Sequence, residues 1–220
     1  MFNPEYESEW VESLLTELAE SYQSPPEAVH RFTPAAAHKY GIPAALVFQH
    51  ISARCEKSGL GWAVAMLNSL HRHYLYLGRT TLYHGLTALV RGTDRAPAML
   101  RRRPVPDTAQ LYQYGLFPGT ACSASKLHAF DAGLAQKLGV FAALVYATLE
   151  CQSQCWNPTD VTDDAEFRQV VGWCHKRHSY LSKQTIRRAV NALLEQNLVR
   201  KELCGTRIIW MLPQSAVFQN

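Results

Sequence analysis

Leu181-Ser182-Lys183-Gln184-Thr185-Ile186-Arg187-Arg188-Ala189-Val190, continued by Asn191, Leu193-Leu194 and Asn197-Leu198-Val199, sorts apolar and basic residues onto opposite sides of one helix. Ser182 can start that helix by accepting a backbone N–H bond, and Ile186, Ala189, Val190 and Leu193 recur at the three- and four-residue steps that bury one stripe. The same spacing turns Gln184, Arg187, Arg188 and Asn191 outward. Arg and Gln are side chains that can pair two hydrogen bonds with a purine edge in a major groove, or clamp a phosphate beside it. Lys183, Gln184 and Thr185 lie on the first turn, the end of a recognition helix that enters a groove first. The stretch therefore reads as a DNA-recognition helix running into a β wing.

Working outward from it, the chain contains an internal repeat. Residues 71–90, HRHYLYLGRTTLYHGLTALV, lie on residues 175–194, HKRHSYLSKQTIRRAVNALL, at an offset of 104. Residues 38–51, HKYGIPAALVFQHI, lie on 136–149, QKLGVFAALVYATL, at an offset of 98. The growth of the offset by six places a six-residue insertion between the matched blocks of the second copy. Self-similarity at this period means two copies of one small domain.

Each copy has one grammar: a first helix, a turn at Gly41 or Gly139, a long apolar helix, a polar connection, a third helix ending near His73 or His178, a short turn, and the recognition-type helix. Strands follow, at about 198–203 and 207–212 in the second copy, around Cys204-Gly205-Thr206, and at 98–103 and 110–116 in the first, around Pro104-Val105-Pro106-Asp107. Three or four helices closed by a β-hairpin is the winged helix-turn-helix plan. The expected fold is mainly α with small β-hairpins (α+β), as two tandem winged helix-turn-helix domains from an internal duplication. The divisions are an acidic amphipathic arm at 1–29, domain 1 at 30–116, a linker at 117–126, domain 2 at 127–214 and a tail at 215–220.

Charge supports a polyanionic partner for the body of the chain. Residues 1–30 hold seven of the 18 acidic residues and none of the 22 Lys and Arg, so positions 31–220 carry 22 basic against 11 acidic side chains. In the arm, Trp10, Leu14, Leu18 and Tyr22 recur every four residues and form an apolar stripe on an acidic helix. Met1-Phe2-Asn3-Pro4-Glu5 lacks the pattern of a secretory signal, and the longest apolar run, Val140–Leu149, is ten residues, short of a membrane span. The expectation is a cytoplasmic protein without a membrane partner, a monomer or homodimer, whose six cysteines are thiols, mostly filling cores.

At Gly139-Val140-Phe141-Ala142-Ala143-Leu144-Val145-Tyr146, and again from Tyr180-Leu181-Ser182 through Thr185-Ile186-Arg187-Arg188 to Asn197-Leu198-Val199, the chain resembles the winged-helix domains of phage and plasmid replication proteins, including the DnaD-like N-terminal domains of phage replisome organisers. The resemblance covers about 85 residues of the second copy and, more weakly, the first. It departs from the family pattern at Asn197, which stands where that pattern has glycine; Asn also enters the left-handed region. The resemblance implies double-stranded DNA as partner, at an origin or operator, with replication or transcription machinery recruited, and no chemistry.

In the first copy the outward residues are Thr80, Tyr83, His84 and Thr87, poorer in charge and richer in aromatic surface, so a protein-facing helix is an open alternative; Arg79 is a further candidate DNA contact. Arg101-Arg102-Arg103 on the first wing would rest against phosphates or reach a minor groove; a solvated, charge-protected edge strand is the alternative. Arg200, Lys201 and Arg207 repeat that signal weakly in the second wing. His71-Arg72-His73 and His175-Lys176-Arg177-His178 suit a helix C-terminus electrostatically, or the DNA backbone, with Lys176 and Arg177 as the contacts there. Trp62, Trp156, Trp173 and Trp210 read as core aromatics. Cys151, Cys155, Cys174 and His175 lack the paired spacing of a zinc module, and Asp160, Asp163, Asp164 and Glu166 fall in the inserted segment, so neither a metal, a cofactor nor an enzyme is expected. The rival function is a protein-interaction adaptor or inhibitor that docks through Trp10, Leu14 and Leu18. A third reading has the Glu-rich arm fold back on the basic face.

Overall fold

A computed structural model describes residues 27–59, 61–105, 108, 111–120, 127–153, 163–204 and 207–212, together with Thr16; the side chains of 152–153, 163–166, 201–204, 207–209 and 211 are outside that description. The anchors Trp10, Leu14 and Leu18, most of the 117–126 linker, Asp160, Cys155, Trp156 and the turn residues Gly205 and Thr206 lie outside the described residues. The chain is of the α+β class and divides into two compact units, Met1–Glu27 with Ala35–Leu127, and Ala28–Pro34 with His128–Asn220.

Unit 1 runs through α1 (Pro34–Tyr40), α2 (Ile42–Ser58), β2 (Trp62–Val64), α3 (Leu67–His73), α4 (Arg79–Arg91), β3 (Leu100–Pro104) and β4 (Tyr112–Leu116). Its three strands form one antiparallel sheet in the order β2-β4-β3. The run Ala44–Phe48 and Ile51 are fully enclosed, because α2 crosses the centre of the unit and has α4 on one side and the sheet on another. Leu82 and Leu89 of α4, Leu70 of α3 and Leu100 of β3 close around it, each at 0% exposure. Gly85 permits the closest helix approach: a Cβ there would sit 3.0 Å from the Ala44 backbone nitrogen. The matching position of the repeat is Ala189, also buried.

Unit 2 contains β5 (His128–Asp131), α5 (Ala132–Leu138), α6 (Val140–Ser153), α7 (Asp163–Arg177), α8 (Lys183–Glu195), β6 (Arg200–Cys204) and β7 (Arg207–Met211). Strands β6 and β7 pair antiparallel, with Cys204 opposite Arg207. Its remaining strand comes from far upstream: β1 (Val29–Phe32), which precedes α1, pairs antiparallel with β5. Strand β2, strand β5 and the partnership of β1 are absent from the sequence reading, since three- and four-residue strands are too short to show a period.

The pairing of β1 with β5 extends the repeat. At the offset of 98, His30 and Phe32 match His128 and Phe130. In the ladder His30 opposes Phe130 and Phe32 opposes His128, so the repeat relation exchanges the two pairs around Arg31 opposite Ala129. Local geometry recurs between the units as well. Gly41 (φ 86°, ψ 164°) and Gly139 (φ 86°, ψ 160°) adopt one conformation, and their N–H groups donate to Ala37 and Ala135 carbonyls at 2.9 and 2.8 Å. In each unit a histidine at the end of the third helix donates from Nδ1 to a carbonyl six residues on, His71 to Leu77 at 3.1 Å and His175 to Leu181 at 2.9 Å.

That glycine conformation belongs to a region of φ/ψ space held almost only by glycine, and nothing lies within 4 Å of a Cβ built on Gly139. Gly139→Ala is thus expected to destabilise unit 2 by about 1–3 kcal/mol through backbone strain alone. A urea-denaturation midpoint indistinguishable from the parent would refute it.

Candidate nucleic-acid interface

Helix α8 begins where the sequence places it. Ser182 takes an extended backbone and its Oγ accepts the Thr185 N–H at 3.1 Å, while the Thr185 hydroxyl lies 2.8 Å from the Ser182 hydroxyl. Ile186, Ala189, Val190 and Leu193 are buried. Lys183, Gln184, Arg187, Arg188 and Asn191 are exposed, and Thr185 is half-buried at the cap. Before Glu195 the helix carries no acidic residue, so its outer face is uniformly cationic or amide. At its end Asn197 adopts φ 54°, the left-handed conformation that lets the chain turn into β6 without glycine. Lys176 and Arg177 are exposed at the end of α7 and Arg200 at the start of β6. Lys201 and Arg207 sit on the paired strands β6 and β7, with side chains outside the described set.

A partly buried polar chain holds the turn between α7 and α8. Thr148 donates to the Leu144 carbonyl at 2.9 Å, leaving its oxygen to accept from His178 Nε2 at 2.6 Å. Donor counting then makes His178 Nδ1 an acceptor for the Tyr180 hydroxyl at 2.7 Å, whose oxygen accepts from His128 Nδ1 at 2.8 Å. Burial, with the charges of His128 and Arg177 behind it, drives the His178 pKa down to about 4, and burial followed by Arg177 lowers that of His128. Both imidazoles are therefore structural and neutral near pH 7. His71 and His175 are occupied by carbonyls and the His73 ring lies 4.9 Å from that of His50, which separates the histidines of the two basic clusters from the exposed Lys176 and Arg177.

Unit 1 differs on the equivalent surface. Helix α4 starts at Gly78 without a side-chain cap and exposes Arg79, Thr80, Tyr83 and His84, with Thr87 half-buried. The three arginines of β3 do not form one patch. Side chains alternate along a strand, so Arg101 and Arg103 share one sheet face and Arg102 the other. The Arg101 and Arg103 guanidinium carbons lie 5.0 and 4.2 Å from the Trp62 ring centroid, and Arg103 Nε donates to Gln113 Oε1 at 2.6 Å. Trp62 is half-buried, a shelf for cations; its ring covers Gly115, where a Cβ would come within 2.9 Å of the ring. Arg102 instead lies 4.5 Å from the Tyr112 ring centroid. The sequence reading placed Trp62 among the core aromatics; it is half-buried instead, and its place beside Arg101 and Arg103 follows from the pairing of β2 with β4, which the sequence did not show.

No protein-family model matches the chain, and no curated protein or solved structure matches it either. Among the described residues no three His, Cys, Asp or Glu side chains gather as metal ligands, and no helix is long and apolar enough to cross a membrane.

Proposed function

We propose that this chain binds double-stranded DNA through two winged-helix units derived from an internal duplication, in replication initiation or transcriptional control of a phage- or plasmid-type element. The observation that carries the reading is α8: a capped helix with one face buried and the other presenting Lys183, Gln184, Arg187, Arg188 and Asn191 without an intervening acid. Oriented positive charge and paired donors match both components of duplex binding, phosphate attraction and base-edge readout. From α2 onward, the order helix, strand, helix, helix, hairpin in unit 1, with sheet order β2-β4-β3, supports the winged-helix assignment there. The repeated glycine and histidine geometries support the duplication. Arg200, Lys201 and Arg207 on the second wing and Lys176 and Arg177 beside α8 are assigned to the backbone. DNA recognition by unit 2, followed by recruitment of replication or transcription machinery, is the mechanism.

Selection of random duplex DNA by the full chain, at two salt concentrations, tests the proposal. An enriched, asymmetric motif whose binding weakens with salt is expected; recovery of no motif at either salt overturns sequence-specific binding. The second reading, a protein-facing unit 1, is favoured by one observation, the 54% exposure of Tyr83 on α4.

A further inference from the structure

The outer half of α4 and the sheet of unit 1 enclose a cleft of about 450 Å³, inside the range of roughly 300–1,000 Å³ common to small-molecule sites. One wall is the helix stripe Tyr83, Leu86, Thr87 and Val90, ending at Arg91; the opposite wall carries Arg102 and Tyr112, above Tyr114. Among the described residues that line it there is no carboxylate. Arg102 and Arg91 are both exposed, and Arg102 is held against the Tyr112 ring. Burial raises the Tyr114 hydroxyl's pKa, and the neighbouring Arg102 charge only partly offsets this.

The repeat makes the specialisation visible. Where α8 has Arg187, Asn191 and Glu195, α4 has Tyr83, Thr87 and Arg91 at the offset of 104. The cation of the reading face is exchanged for an aromatic ring, and the acid at the helix end for a cation. Two rings and two guanidiniums around an apolar floor suit a flat heterocycle that carries a phosphate, stacked on tyrosine and paired with arginine.

We propose that this cleft of unit 1 binds a nucleotide, a single base with its phosphate, taken either free from solution or as an unpaired residue of a DNA strand. The site is separate from duplex reading by α8, and it stands or falls on its own residues. Pairing of two oxygens by Arg91 and Arg102 supplies the charge recognition, and Tyr83 and Tyr112 supply a sequence-tolerant stacking surface.

The full chain is titrated by calorimetry with dAMP and dTMP, with a short oligo-dT, with a duplex of equal length, and with a Glu- and Tyr-containing peptide. Saturable binding of either mononucleotide is expected if the source is free nucleotide, and of oligo-dT alone if the source is a strand; both support the site. Tyr83→Ala and Arg102→Gln, each at an exposed position that leaves the fold intact by circular dichroism, should weaken that binding about tenfold or more, while R187A/R188A should leave it unchanged. Absence of binding by all three nucleotide probes, binding insensitive to Tyr83→Ala and Arg102→Gln, or binding of the peptide in their place overturns the proposal. Loss of duplex binding in R187A/R188A with nucleotide binding retained separates this outcome from failure of the duplex reading.

Discussion

Replacing Arg187 and Arg188 together by alanine is expected to lower duplex DNA affinity by roughly 30-fold or more, at about 1–3 kcal/mol for each base contact removed. Both side chains are exposed on the outer face of α8, while the stripe that holds the helix in place is Ile186, Ala189, Val190 and Leu193. Stability should thus change by no more than about 0.5 kcal/mol, which separates lost contact from lost fold. The two roles of a cation are distinguished by what else changes. Loss of a base contact relaxes the preference at one or two positions of the selected motif. Loss of a phosphate contact weakens all sequences alike and reduces the salt slope by about one, the pattern expected of Arg200→Ala. Fluorescence anisotropy on the selected duplex at several salt concentrations gives both quantities, and unchanged affinity and slope in R187A/R188A would remove α8 from the interface.

Acidification is expected to destabilise unit 2 by about 3 kcal/mol between pH 6.5 and pH 4 through His178. The folded pKa, about 4, lies below the ordinary value of 6.5. As pH falls through 6.5 the unfolded chain takes up a proton that the folded chain still refuses, so stability is complete above that value and is lost progressively down to about 4. The structural cause is that His178 Nδ1 accepts from Tyr180; protonating it sets an N–H against that hydroxyl, beside His128 and Arg177. His128 shifts in the same direction and adds to the loss. His178→Phe removes this titration and should flatten the pH dependence whatever it does to stability at pH 7. Hydrogen exchange of the α8 amides across this pH window reads unit 2 directly, and an equal slope in parent and variant would exclude the histidine as its source.

How far each element was legible follows from its length and period. Among the described helices of 13 residues or more, α8 shows the strongest separation of apolar and polar faces, and its cap, buried stripe and the left-handed Asn197 follow from residue types alone. Helix α2 is nearly all apolar from Ala44 to Val47 and showed burial but no face. The two hairpins were visible through their turn residues, within two residues of β3, β4, β6 and β7. Strands β1, β2 and β5 were not, because each is stabilised by a partner distant in sequence. The triple arginine of β3 read as one patch, and the strand's two-residue alternation divides it between Trp62 and Tyr112. The cleft of unit 1 had no signal at all: Tyr83, Arg91, Arg102 and Tyr112 span three elements, and only the register of Arg102 opposite Tyr114 brings them to one side.

The sequence by itself determined what short-range physics controls: the repeat, the helices whose apolar stripes demand burial, the caps and turns, and the basic face of α8. Tertiary structure alone decided which strand joins which unit, which histidines are consumed by internal hydrogen bonds, and where tyrosine and arginine meet. The reason is that helix formation and capping couple residues three or four apart, whereas strand pairing and side-chain clustering couple residues whose separation along the chain carries no period.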